Sequence, residues 1–216
     1  MKPGENRASN RVESSGKNNV VGWGMTPDET REFFKGRGKA VITFFGYSVD
    51  YENEEAMQKI VKDVLSGYSP ETFLINIGAT YGGIGAAYPI AKSIGFITTG
   101  IISSLAIQYL DDISSAVDHV CFVTDNQWGG KLPNSNDLSP TSQAMIVCSD
   151  ILIGIGGGKI SRDEMVAGKE RGKPVHFYPA EINHKWMMLH AKKMNLPPPD
   201  SFWGAAHEIF ANKHDL

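Results

Sequence analysis

The sequence predicts an α/β protein whose core is an open, mainly parallel β-sheet with helices on both faces. Short apolar segments rich in β-branched residues alternate with amphipathic segments through most of the chain. The segment ILIGI at 151–155 is apolar at successive positions, which is typical of a strand buried on both faces. A glycine cluster at 156–158 and an amphipathic stretch follow it, so this region predicts a strand, a turn, a helix and a further strand.

Helix-start signals and apolar runs give the order of the elements. Thr26, Pro27 and Glu29 predict a helix start, with threonine as the N-cap, proline in the first turn and glutamate completing a capping box. The expected strands are 39–45, 72–77, 96–101, 119–124, 151–155 and 173–178. The expected helices begin near 26, 53, 85, 105, 141, 161, 183 and 201, the last two ending near 194 and 212. The alternation predicts a doubly wound, Rossmann-like sheet.

Length and composition predict one soluble domain. Residues 21–216 fit a single domain, whereas residues 1–20 are polar, rich in Gly, Ser and Asn, and predict a flexible arm. A net charge of −3 and a pI near 6.1 give no electrostatic reason to expect nucleic acid as a partner. The chain shows no membrane-length apolar run and no signal-peptide pattern, which predicts a cytoplasmic protein. Cys121 and Cys148 lack metal-ligand spacing, so we expect buried reduced thiols and neither a metal nor a cofactor.

The predicted ligand site lies at the carboxyl ends of the strands, where open parallel sheets bind their ligands at a switch point. Two glycine turns lie there, and glycine lets a backbone approach a phosphate at a helix N-terminus. Neither turn is a dinucleotide fingerprint or a P-loop, and glycines that only make tight turns are the alternative. The candidate phosphate- or nucleotide-binding residues are Gly46, Ser48, Tyr81, Gly82, Gly83, Gly85, Gly156, Gly157, Gly158, Lys159, Ser161, Arg162 and Trp128.

Two acidic residues are the candidate catalytic groups. Glu164 has two interpretations: it completes a capping box with Ser161, or it acts at a ribose as carboxylates do in glycosidic cleavage. Asp125, at the end of the fourth predicted strand, is the candidate second carboxylate. Asp163 is the weaker candidate because it should point away from Glu164. The loop that begins at Asp125 either offers Trp128 as a platform for a base or is only a solvated connection.

The glycine turns resemble those of a known family. GGKISRDE at 157–164 resembles the PGGxGTxxE signature of the Lonely-guy family, phosphoribohydrolases of cytokinin nucleotides, and YGGIG at 81–85 resembles an earlier glycine segment of the same family. The resemblance spans roughly residues 41–178 and places Glu164 on the family's glutamate. Molybdenum-cofactor carrier proteins share this fold and these turns. The stretch 163–175 is also similar to the glutamate helix of nucleoside 2-deoxyribosyltransferases.

The sequence departs from that signature at three places. Gly156 stands where the signature has proline, and Ile160 stands where it has its third glycine. The family carries an arginine–lysine pair on the helix before the strand, whereas residues 140–143 here read PTSQ. Isoleucine tolerates a positive φ poorly, so Ile160 either keeps an ordinary conformation or the loop differs in shape.

Two functions remain open at this level. The first is cleavage of the N-glycosidic bond of a nucleoside monophosphate or related nucleotide, by a hydrolase or transferase, with the phosphate on the glycine turns. The second is a binding or carrier protein for a nucleotide or cofactor that performs no chemistry. A dinucleotide-dependent oxidoreductase is weaker, because no acidic residue follows a proper fingerprint. The resemblance implies a homodimer, and the apolar stretch 184–194 is its candidate docking face.

Overall fold

A single parallel sheet forms the centre of the structure, a computed structural model that describes residues 19–211. The predicted arm at 1–20 and the end of the helix predicted to reach 212 lie outside the described residues, except that Asn19 and Val20 belong to the first strand. The strands are β1 (Asn19–Met25), β2 (Ala40–Phe45), β3 (Phe73–Ile77), β4 (Thr98–Ser103), β5 (His119–Val123), β6 (Ile151–Ile155) and β7 (Val175–Tyr178).

Helices connect most of these strands. The capping box at the first helix is confirmed, because Thr26 Oγ1 accepts from Glu29 N at 3.2 Å and Glu29 Oε2 accepts from Thr26 N at 2.7 Å. The helix expected from residue 105 is instead a 3₁₀ segment, Ser104–Asp112, with a non-helical residue at Tyr109. The α-helices are α1 (Pro27–Lys35), α2 (Glu54–Leu65), α3 (Ala87–Ile94), α4 (Pro140–Cys148), α5 (Lys159–Glu170), α6 (His184–Lys193) and α7 (Ala205–Phe210).

The strand order places a switch point between β2 and β6. Within residues 19–211 the order is β1-β5-β4-β3-β2-β6-β7, and every neighbouring pair is parallel. The chain moves outward from β2 through β3 and β4 to β5, then returns to the other side of β2 for β6 and β7. The connections therefore leave β2 and β6 in opposite directions, which opens a crevice at their carboxyl ends.

Strand β1 was not predicted from the sequence. Its residues, NVVGWGM, include two glycines, and Gly24 has a φ of 73°. The pairing with β5 shifts register between Val20 and Gly22 and again between Gly22 and Met25. A strand with these irregularities lacks the period-two pattern that identifies a strand in a sequence.

The sheet separates two hydrophobic clusters. One cluster includes Phe44, Ile75 and Phe122, and α2 and α3 pack on that face. The other includes Phe45, Leu152 and Met165, and α1, α4, α5 and α7 pack there. Cys121 and Cys148 are buried free thiols, as expected, and burial raises the pKa of each to about 12. The predicted three-layer α/β architecture is thus confirmed.

Between residues 19 and 211, no helix is both long and apolar enough to cross a membrane. Over the same span, no group of three or more His, Cys, Asp or Glu side chains is arranged to hold a metal ion.

Candidate functional site

The start of α5 shows that Glu164 is not a capping residue. The N-cap is Gly158 and no side chain caps the helix, so the predicted capping box between Ser161 and Glu164 is wrong. Ser161 lies inside the first turn, and its hydroxyl donates to the carbonyl of Gly46 at 2.8 Å, joining the turn after β6 to the turn after β2. Ile160 lies in the same helical turn and has no positive φ. The Glu164 side chain is therefore available for another role.

Glu164 is a buried carboxyl group held by one hydroxyl. Only 5% of the residue is exposed, and its Oε1 accepts from Ser142 Oγ at 2.5 Å. Ser142 Oγ in turn accepts from the N–H of Gly130 at 2.7 Å. Burial raises the pKa of Glu164 to about 7, the hydrogen bond from Ser142 opposes that rise, and the charge of Asp163 adds to it. This carboxyl group can therefore give or take a proton near neutral pH.

The loop after β5 covers Glu164. Gly129 and Gly130 both have a positive φ, of 124° and 80°, which favours glycine. A Cβ built on Gly129 would lie 3.7 Å from Glu164 Oε1, and one on Gly130 would lie 3.8 Å from Asp163 Oδ2. Both carboxyl groups therefore lie close to this glycine pair, and the charge of Asp163 helps to raise the pKa of Glu164.

Asp125 fixes the loop to the start of α4. Its Oδ2 accepts from the N–H of Thr141 at 2.9 Å, and its Oδ1 accepts from the N–H of Gln127 at 2.8 Å. This contact positions the helix that carries Ser142. Next to it, the hydroxyl groups of Ser139 and Thr141 are buried and have no hydrogen-bond partner among residues 19–211. Buried hydroxyls without partners are unusual and favour a polar group that the chain itself does not supply.

The glycine turn after β6 is filled partly by the chain itself. A Cβ on Gly156 would lie 2.6 Å from Tyr47 Cε2, and one on Gly157 would lie 2.7 Å from the Cβ of Ser161. A Cβ on Gly158 would meet nothing within 4 Å. The N–H groups of Gly158, Lys159 and Ile160 have no protein acceptor within the described part of the chain. The open amides of this turn are therefore those at the start of α5.

The two basic side chains at this turn differ in their partners. Lys159 is exposed beside the helix start. Arg162 binds Asp163 Oδ1 through Nε at 2.9 Å and through Nη2 at 2.8 Å, and this pair is partly buried. The positive charge of Arg162 is thus already paired, which leaves Lys159 as the cation closest in sequence to the open amides.

The earlier glycine turn contacts the same loop after β2. A Cβ on Gly83 would overlap the carbonyl oxygen of Tyr47, one on Gly85 would overlap that of Thr80, and one on Gly82 would lie 3.1 Å from the Ser48 oxygen. Both glycine turns are therefore at one edge of the sheet.

Tyr47 lies between the two turns and was not found from the sequence. Its ring lies against Gly156, and its hydroxyl donates to the carbonyl of Ala180 at 3.0 Å and accepts from the N–H of Gly204 at 2.8 Å. A Cβ on Gly46 would overlap the hydroxyl of Tyr51, which donates to the Ile155 carbonyl at 2.8 Å. Tyrosine rings thus occupy the space between the turns, which leaves the second turn as the open one.

Three other candidates lie on the surface around this edge. Ser48 and Tyr81 are exposed, and the N–H of Tyr81 donates to the Asp112 carbonyl at 3.0 Å. Trp128 is exposed and precedes the glycine pair that covers Glu164. The ring of Tyr109 lies 5.9 Å from that of Trp128. Trp128 of the covering loop and Tyr109 of the 3₁₀ segment thus form an exposed aromatic pair next to Gly129.

The all-parallel order and the crevice between β2 and β6 define a Rossmann-like, doubly wound α/β protein. No protein-family model matches the chain, and no curated protein matches it. Solved structures do resemble it. A molybdenum cofactor binding protein from the phototrophic bacterium Rippkaea orientalis is 21% identical over 73% of this chain and 85% of that one, with a TM-score of 0.48.

Two further solved structures resemble the chain at a similar level. The molybdenum cofactor carrier protein from Chlamydomonas reinhardtii is 19% identical over 72% of this chain and 84% of its own, with a TM-score of 0.47. The structural-genomics target TM1055 is 15% identical over 63% of this chain and 72% of its own, with a TM-score of 0.45. At identities of 15–21% and TM-scores below 0.5, these likenesses assign neither a family nor a function to the chain. The likeness of α5 to a deoxyribosyltransferase helix stays a prediction.

Proposed function

We propose that the chain binds a nucleoside monophosphate, or a related phosphorylated ribose derivative, at the carboxyl edge of β2 and β6, with Glu164 at the ribose. The observation that carries the proposal is the environment of Glu164. It is a buried carboxyl that does not cap α5, that accepts a hydrogen bond from the Ser142 hydroxyl, and whose pKa is raised by burial to about 7. A carboxyl that is costly to bury, and whose hydrogen-bond partner among residues 19–211 is one serine, favours a functional role.

The phosphate is assigned to the start of α5. Three backbone amides there, from Gly158 to Ile160, have no acceptor within residues 19–211, and Lys159 is exposed beside them. The helix has 12 residues, so its dipole also favours an anion at this end. From Lys159 to Glu164 the helix rises about 7.5 Å, at 1.5 Å per residue. One pentose ring bridges that separation, with its phosphate on the amides and its anomeric carbon near the carboxyl.

Glycosidic cleavage is the activity that Glu164 would support. In its protonated form it donates a proton to the departing base, and in its ionised form it stabilises or attacks the positively charged ribosyl centre. With a pKa of about 7, both forms are populated near neutral pH. Because Gly129 and Gly130 lie against the carboxyl groups, the proposal requires this part of the loop to move when the ribose enters.

Binding without chemistry is the second candidate. Residues 140–143 supply no positive charge at the start of α4, and Glu164 is covered by backbone. Both observations suit a protein that holds its ligand rather than cleaves it. The solved structures named above include proteins described as molybdenum cofactor carriers, which makes a phosphorylated cofactor the alternative ligand class.

One experiment separates these functions. The protein is incubated with a panel of nucleoside monophosphates while melting temperature and released base are measured. A ligand at 100 times its Kd raises stability by about 2.7 kcal/mol. Melting shifts with base release support cleavage, in which case Glu164→Gln keeps the shift and loses the release. Shifts without release support binding alone. If neither appears with any nucleotide, the proposal is refuted.

A matched pair of lysine variants tests the phosphate position. Lys159→Ala is expected to weaken the binding of a monophosphate more than that of the corresponding nucleoside. Lys169→Ala, on the exposed last turn of the same helix, is the control and should change neither affinity. Equal losses for nucleotide and nucleoside with Lys159→Ala would contradict the assignment.

The proposal includes a homodimer formed through α6. None of its residues is buried, and Trp186, Met188 and Leu189 are exposed apolar side chains on it. Apolar surface of this kind favours a protein contact. Sedimentation of the wild type and of Leu189→Asp tests it: the wild type should be dimeric and the variant monomeric. A monomeric wild type would remove the dimer from the proposal without affecting the ligand site.

A further inference from the structure

A cavity of about 790 Å³ lies at the β1–β5 end of the sheet. Its walls include Val120 and Phe122, on the sheet face opposite to the one where α4 and α5 pack. No residue of α4, α5 or the loop over Glu164 lines it. The cavity is thus separate from the proposed nucleotide site, and it falls within the range of volumes that small-molecule sites have.

The cavity exists because one connection is short. On this face α2 and α3 pack against the sheet, but the connection from β4 to β5 is a 3₁₀ segment, Ser104–Asp112. That segment does not cover β1 and β5 as a full crossover helix would. The Phe122 side chain is still fully buried, because the ring of Trp23 is stacked on it at 4.5 Å with an interplanar angle of 18°.

Trp23 presents an aromatic face to this cavity. It is 54% exposed although one face of its indole rests on Phe122. The buried ring beneath it already holds this exposed tryptophan in one orientation. Stacking of a planar ligand on Trp23 therefore costs little conformational entropy of that side chain. Leu110 and Ile113 supply apolar walls on the side of the 3₁₀ segment.

The charged residue that lines the cavity indicates the charge of the ligand that would bind there. Among residues 19–211, the lining contains no Lys, Arg or His, and the one charged residue there is Asp111. Ser114 and Ser115 add hydroxyl groups on the same side. A phosphate or carboxylate would find no cation here, whereas a cation would face a carboxylate and an indole ring, both of which attract it.

We propose that this cavity is a second ligand site, which binds a planar aromatic cation with its ring on Trp23 and its charge beside Asp111. The site does not depend on the proposed nucleotide function, because neither Glu164 nor any residue of α5 lines the cavity, although Tyr81 and Gly85 of the earlier glycine turn do.

Three probes of one shape test the proposal: 1-methylquinolinium as the cation, quinoline at pH 8 as the neutral molecule, and quinoline-2-carboxylate as the anion. Each is titrated into the full chain by calorimetry. The cation should bind tightest and the anion weakest. Trp23→Ala should lower the affinity for the cation roughly tenfold, whereas Trp203→Ala, at an exposed tryptophan just before α7, should leave it unchanged.

Asp111→Asn provides the test of charge. It should lower the affinity for the cation by roughly two- to fivefold and leave that for quinoline unchanged. Anion binding as tight as cation binding, no binding of the cation at millimolar concentration, or an unaffected Trp23→Ala variant would overturn the proposal. Sedimentation gives the remaining outcome. If the cation or Trp23→Ala dissociates a dimer, the cavity is a contact between two copies of the chain and the proposal is wrong.

Discussion

Replacing Glu164 with glutamine should stabilise the protein above pH 7 and change its stability little at pH 4. Burial raises the pKa of this carboxyl from 4.5 to about 7, so between these values the folded protein keeps a proton that the unfolded chain has released. The free energy of unfolding therefore falls as the pH rises through that window and levels off above it. The difference between the pKa values of the unfolded and folded states corresponds to about 3 kcal/mol of unfolding free energy, at 1.36 kcal/mol for each pH unit.

Urea unfolding of both proteins between pH 4 and pH 8 measures this difference. The stability of the wild type should fall with pH relative to that of Glu164→Gln, and the two should coincide near pH 4. For a chain of this size the gap at pH 8 corresponds to a difference in melting temperature of roughly 6–12 °C. Glu170→Gln, at an exposed glutamate on α5, is the control and should follow the wild type. Parallel pH profiles of wild type and Glu164→Gln would refute the reasoning, since they would mean that burial does not perturb the carboxyl.

Three further substitutions test other contacts. Ser142→Ala removes the hydrogen bond that lowers the pKa of Glu164, so that pKa should move above 7 and the fall in stability should extend to higher pH. Ser142→Thr should keep the hydrogen bond and the pH profile of the wild type. Identical pH profiles for the two variants would contradict this role of Ser142. Tyr88→Phe should cost about 1–3 kcal/mol in urea unfolding, because its fully buried hydroxyl binds two backbone groups, and a loss below about 0.5 kcal/mol would contradict this role. Thr26→Ala should cost about 1 kcal/mol by losing the N-cap of α1, and unchanged urea unfolding would contradict that.

The fold was predictable because its signals are local. Apolar runs that alternate with amphipathic segments located β2 to β7 within a few residues, and the Thr26 capping box located α1. The placement of both glycine turns at one edge followed from the parallel sheet alone. Strand β1 was not predicted, because a strand with two glycines and register shifts lacks the regular alternation of apolar and polar residues that indicates a strand. The 3₁₀ segment was predicted as an α-helix because its composition is that of an ordinary helix.

The site was less predictable because its contacts join distant parts of the chain. Ser161 and Glu164 have the spacing of a capping box, but tertiary contacts use both side chains elsewhere. Ser161 bonds to Gly46, 115 positions away, and Glu164 accepts from Ser142, 22 positions away. No local pattern contains either pairing. Tyr47 escaped for the same reason: its ring lies against glycines of a turn more than a hundred residues further along the chain.

The departure from the Lonely-guy pattern at the start of α4 bears directly on the chemistry of Glu164. Ser142 lies in the segment where that family carries arginine and lysine, and here it makes the one side-chain hydrogen bond to Glu164 among the described residues. A neutral hydroxyl lowers the pKa of a carboxyl only modestly, whereas a cation in contact with it lowers the pKa much further. The serine therefore leaves Glu164 with a pKa of about 7, and Ser142→Arg should keep it ionised at neutral pH. A carboxyl that shares its proton near pH 7 can serve as a donor, whereas one paired with arginine can only be a nucleophile or an acceptor. If Ser142→Arg leaves the pH profile of unfolding unchanged, residue 142 does not control the protonation of Glu164.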